Sequence, residues 1–169
     1  IRAKSLLSNE YKSVVPEIHD EPMFLWRQAR HPLLEQKLKS QDKHITPLDL
    51  NLDKDNRILV ISGPNAGGKS VCLKTIGLVQ YMLQCGLAVP MEVDSKCGVF
   101  HDMFIDIGDS QSLENDLSTY SSHLLNMKEL IRQANKRTLF LIDEFGTGTE
   151  PQLGGAIAEA ILLKMNEKK

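Results

Sequence analysis

The chain has 169 residues, of which 41% are hydrophobic and 25% charged, proportions of a globular domain with a sizeable core. Its 20 basic and 22 acidic residues leave a net charge of −2, which argues against a strongly nucleic-acid-binding surface on this segment itself. No stretch approaches the ~20 apolar residues of a membrane span and no secretory signal opens the chain, so the sequence reads as cytoplasmic with no membrane partner.

Residues 1–23 read as a polar, irregular lead-in, and the domain proper is expected over 24–169. Phe24-Leu25-Trp26 is strand-like and leads to Arg30-His31-Pro32-Leu33-Leu34. Ile45 to Leu52 alternates apolar and polar residues, the pattern of a half-exposed strand, and Asp53-Lys54-Asp55-Asn56 is a turn. A further strand is expected at Ile58-Leu59-Val60-Ile61, followed by a helix over 71–83 that ends near Gly86. Val99 to Ile107 is strand-like despite Asp102, and the polar stretch 106–115 reads as a loop. Leu124, Met127, Leu130 and Ile131 have helical spacing, a strand is expected over 138–143, and a last helix over 152–165. Alternating strands and helices predict an α/β fold with a layered, largely parallel sheet flanked by helices. Cys72, Cys85 and Cys97 show no metal-type spacing and fit reduced thiols. Ile1 in place of Met, and a helix-like run ending at Lys169 with no strand after it, suggest an excerpt of a longer protein.

The most informative string is Gly63-Pro64-Asn65-Ala66-Gly67-Gly68-Lys69-Ser70, which fits G-x-x-x-x-G-K-[ST]. Its glycines let the backbone curl so that N–H groups face an anion. Lys69 can reach the β and γ phosphates, and the Ser70 hydroxyl can ligate Mg²⁺. The helix from Val71 onward brings the favourable partial charge of its N-terminus. ATP and Mg²⁺ are the implied ligands. A Gly-rich strand-to-helix turn that binds nothing is the competing explanation.

Hydrolysis also needs an acid for the metal and a group to orient water. Thr138-Leu139-Phe140-Leu141-Ile142 ends in Asp143-Glu144, and acids at the carboxyl end of a buried strand stand where α/β folds place ligands. Asp143 is the candidate metal ligand and Glu144, with Lys69, the candidate catalytic residue. Two solvated acids at a strand end would look the same. Phe145 to Glu150 makes a tight Gly-Thr loop, and Pro151 suits the first turn of the next helix.

Taken together, these strings resemble the ATPase domain of the MutS family, over about residues 24–165. Ser62 to Ser70 is similar to that family's P-loop, Arg30-His31-Pro32 to its opening motif, and Asp143 to Thr149 to its metal-binding strand and following loop. The resemblance implies a P-loop NTPase with an ABC-type layered sheet. It also implies that Pro47, in Ile45-Thr46-Pro47, lies near the adenine. Ser118-Thr119-Tyr120 resembles the signature that one subunit offers to the γ-phosphate held by the other, which implies a homodimer. Ser118 could equally be the N-cap of the 121–135 helix. Ile107 to Ser112 looks closer to paralogues without mismatch-reading domains than to the mismatch sensors. The family's next strand, ending in a Thr-His pair, would follow Lys169, as would the dimer helices, so weak turnover is expected of this segment. DNA would be engaged through domains outside it.

Two other machines compete. An ABC-type ATPase of a transporter or chromosome-organising protein would carry a Leu-Ser-Gly-Gly signature, whereas Leu117-Ser118-Thr119-Tyr120 stands here. A nucleotide-dependent dimerisation module with little turnover would not need Asp143-Glu144. His31 and His123, as lone histidines, are expected to be ordinary surface or core residues. Gln111 could approach the metal or stay solvated.

Overall fold

A computed structural model of the chain describes residues 2–64, 67–107, 127–129, 131–143 and 150–167. The chain divides into two compact units, Ile1–Phe100 and His101–Lys169.

The first unit contains α1 (Arg2–Glu10), β1 (Glu17–His19), β2 (Phe24–Ala29), α2 (Pro32–Lys39), β3 (Leu48–Leu52), α3 (Lys69–Gln84) and β4 (Lys96–Gly98). Its sheet has the order β1-β4-β2-β3. β1 runs parallel to β4, and β2 is antiparallel to both β4 and β3. Phe24 and Trp26 alternate onto the buried face of β2, as period-2 geometry requires. Phe24 meets Trp26 edge-on and stacks on Phe100, with ring centroids 5.0 Å apart in both pairs. Burying each such ring contributes about 1.5–3 kcal/mol.

α3 packs through Ile76, Val79 and Met82, which recur every three residues on one face. It stops as Gly86 turns to φ 71°, with Gly86 N–H donating to the Leu83 carbonyl and Leu87 N–H to that of Met82. Fully buried Gln80 ties the helix to the sheet. Its Nε2 donates to Gln84 Oε1 and to the Gly98 carbonyl, both at 2.9 Å. Lys4 of α1 donates to the carbonyls of Cys85 and Gly86, past the last turn of α3.

The second unit contains β5 (Asp102–Asp106), β6 (Thr138–Ile142) and α4 (Pro151–Glu167). β5 and β6 pair in parallel from Asp102↔Thr138 to Asp106↔Ile142, with Phe104 and Phe140 stacked at 5.5 Å. Pro151 opens α4, where its missing N–H is no loss.

This architecture corrects the expected ABC-type P-loop layering with a largely parallel sheet. The four-stranded sheet is mixed, β2 has antiparallel neighbours on both sides, and among the described residues parallel pairing is confined to β1–β4 and β5–β6. Ile58 to Ile61 does not form the expected strand, and Ile58, Leu59 and Val60 are 42%, 51% and 70% exposed. An apolar run becomes the centre of a parallel sheet only when strands flank both edges and helices cover both faces. Among the described residues no strand pairs with it. Residues 2–10, expected to be irregular, are helical because Arg, Ala, Lys and Leu dominate the run. Among the described residues no helix is long and apolar enough to cross a membrane.

Candidate functional site

The glycine loop belongs to the first unit. Gly63 has φ 146° and Gly68 φ 83°, so the chain enters and leaves the loop through backbone angles that other residues rarely adopt. A Cβ at either position would meet no atom within 4 Å, so the angle, not the space, calls for glycine. Gly67 N–H donates to the Pro64 carbonyl and Cys72 N–H to that of Gly68, both at 2.9 Å. Gly68 is the N-cap of α3 and brings no side chain, so no side-chain cap closes the first turn. Such a turn keeps N–H groups and partial positive charge for an anion. Lys69 folds back across the loop, its Nζ donating to the Gly63 carbonyl at 2.6 Å. Ser70 is half-buried in the first turn and Val71 is 41% exposed beside it. Asn65 and Ala66 lie outside the described residues.

Pro47 stands half-buried immediately before β3. Leu48 pairs with Ala29 in antiparallel register, so the segment ending at Pro47 runs beside the one beginning at Arg30. Arg30 is held three ways: its N–H donates to the Pro90 carbonyl, its guanidinium to the Tyr11 carbonyl at 3.0 Å, and its Nε to Glu35 at 3.2 Å. Burial pushes the Glu35 carboxyl up, but Lys39 and Arg30 more than offset it and leave it below the ordinary value of 4.5. His31 is the N-cap of α2, its Nδ1 accepting from Leu34 N–H at 3.3 Å. Burial pushes its imidazole below 6.5, and nearby Lys74 pushes the same way. The expectation of an ordinary structural histidine holds for His31.

In the second unit Asp143 follows the last residue of β6, half-buried, and its N–H donates to the Asp106 carbonyl at 2.9 Å. In the sequence Asp106 falls both in the strand-like run 99–107 and at the start of the polar stretch 106–115. The structure puts it at the carboxyl end of β5, level with Ile142. The signal was the same as for Asp143: an acid that closes an apolar strand. Glu144 and the Gly-Thr loop through Thr149 lie outside the described residues, as do Gln111, Ser118, Thr119 and His123. Among the described residues no group of three or more His, Cys, Asp or Glu could hold a metal ion.

A family model described as MutS domain V matches residues 59–169. A protein named Endonuclease MutS2 from Enterococcus faecalis is 45% identical over 168 residues, which are 99% of this chain and 21% of that protein. Proteins of the same name from Carboxydothermus hydrogenoformans and a Geobacillus species are each 44% identical, over 100% and 96% of this chain and 21% and 20% of their own lengths. The chain thus spans about a fifth of these relatives.

Proposed function

The chain belongs to the MutS family through its domain V, and from that premise we propose that it is the ATP-binding and ATP-hydrolysing part of a larger DNA-processing protein. One observation carries the reading: Lys69 lies across a loop hinged by two positive-φ glycines, at the start of a helix with no side-chain cap. A triphosphate fits this chemistry. Loop amides donate to phosphate oxygens, the α3 N-terminus adds partial positive charge, and the Lys69 ammonium exchanges one carbonyl for charged oxygens.

The loop from Gly63 to Ser70, with Val71, would hold the phosphates, and Pro47 would border the base. Ser70 and Asp143 would hold Mg²⁺, a pairing that rests on the motifs alone. When bound, that ion offsets phosphate charge. Glu144 would orient the attacking water, so that ATP and water yield ADP and phosphate. Ser118 and Thr119 would serve a nucleotide held by a second copy, and ATP would close the dimer while hydrolysis releases it. DNA would be reached through parts of the protein outside this chain, in the cytoplasm.

The test is calorimetric titration of the chain with ATP and Mg²⁺, followed by phosphate release with and without DNA on the complete protein. Saturable binding of ATP supports the reading. Failure of the chain to bind ATP overturns it.

A further inference from the structure

β2 and β3 do not pair evenly. Their register steps from Trp26↔Leu50 to Ala29↔Leu48, so an extra residue is bulged out of β2 at Arg27–Gln28. Gln28 sits there with φ 50°, a left-handed backbone that a side-chain-bearing residue seldom adopts. One carboxylate oxygen holds it. Asp49 Oδ1 accepts from the Gln28 backbone N–H at 2.7 Å and from its side-chain Nε2 at 3.1 Å. Two donors on one oxygen favour the charged carboxylate, and Asp49 lies below its ordinary value of 3.8, chiefly through the backbone bond. The other side of the bulge is held too, with Arg27 N–H donating to Ser95 Oγ and its carbonyl accepting from Glu92 N–H.

The bulge has a consequence at the next rung. It sets which residues emerge side by side where β2 ends and β3 begins, namely Arg30 after Ala29 and Pro47 before Leu48. Without the extra residue every later side chain of β2 would swap faces. Strain of this kind persists where surrounding contacts over-determine it and is concentrated at functional sites.

We propose that Asp49 is a positioning residue for nucleobase recognition: by pinning Gln28 in its left-handed conformation it fixes the bulge that sets the Pro47 segment against the Arg30 segment. The proposal rests on the nucleotide reading of the loop. It separates base from phosphate, because Asp49 acts on the Pro47 side and not on the glycine loop.

The experiment compares ATP with inorganic tripolyphosphate by calorimetry on wild type, Asp49→Ala and the double variant Gln28→Gly/Asp49→Ala. The expected result is about a tenfold loss of ATP affinity in Asp49→Ala, with tripolyphosphate affinity changed less than about twofold. Glycine tolerates φ 50° unaided, so the double variant should return ATP affinity to within about threefold of wild type. Equal losses for both ligands, no loss for ATP, or no rescue by Gln28→Gly would overturn the positioning role and leave the nucleotide reading intact. Wild-type protein that binds neither ligand removes the nucleotide reading, and the positioning role with it.

Discussion

The Lys69 ammonium donates to the carbonyl oxygen of Gly63, six residues earlier, at 2.6 Å. The cation therefore closes the loop on itself and must exchange that carbonyl for phosphate oxygens when a nucleotide binds. Lys69→Ala deletes the cation but buries nothing new, since the contact is exposed. ATP affinity measured by calorimetry should fall at least about a hundredfold, roughly 2.7 kcal/mol, while the urea midpoint stays close to wild type. Unchanged affinity would remove this lysine from the site.

Gly98 offers a sharper test of the fold. A Cβ there would run into the backbone at Glu21, Pro22 and Met23, and none of those atoms belongs to a side chain that could swing away. Gly98→Ala should cost at least about 1–3 kcal/mol, read from urea unfolding. Gly155→Ala in α4 should go the other way by about 0.5–1 kcal/mol, because a Cβ there meets nothing within 4 Å and alanine is the better helix former. A Gly98→Ala protein as stable as wild type would contradict the packing of β4 against residues 21–23.

Acid should loosen α2. His31 caps the helix only while Nδ1 carries a lone pair, and burial holds its folded value below the ordinary 6.5. The neutral form is the one the fold prefers. Its contribution is therefore complete above pH 6.5 and is lost as pH falls through the lowered folded value. His31→Asn keeps a capping side chain that does not titrate. The urea midpoint of wild type relative to His31→Asn should drop as pH falls below 6.5; parallel pH profiles would show that Nδ1 is not the cap.

Thiol chemistry should rank the cysteines by burial. Cys85 is exposed, Cys72 is half-buried with its thiol pushed up by burial, and Cys97 is fully buried with its thiol pushed up to about 11. A maleimide should label Cys85 first, Cys72 more slowly, and Cys97 only when the protein unfolds. Early labelling of Cys97, read by mass spectrometry, would contradict its buried place in β4, paired with Phe24 of β2.

Local chemistry was legible where one residue's backbone angle or one helical repeat decides the outcome. Gly63 and Gly68 in the loop, Gly86 after α3, Pro151 at the head of α4 and the apolar run of β6 all follow from turn and periodicity rules. Strand partnership was not legible. Nothing in Phe24-Leu25-Trp26 says that its neighbours run antiparallel, and nothing in Ile58 to Ile61 says that it stays outside the sheet, because both depend on segments distant in sequence. The contact between Gln28 and Asp49 was hidden for the same reason. Twenty-one positions separate them, and neither residue type announces a left-handed strand residue. For the candidate site, the loop glycines and Lys69 could be anticipated, whereas the positions of Asp106 and Arg30 required the strands to be laid side by side.

The exposed stretch at Ile58, Leu59 and Val60 carries a cost in solution behaviour. Three apolar side chains held in water, two of them β-branched, offer a template on which another molecule's backbone can lie. Concentrated samples should therefore scatter light increasingly with time, and a charge at the most exposed of the three, Val60→Lys, should suppress that growth as flanking charges do in natural strands. Handling the chain cold and dilute will matter for every titration described above.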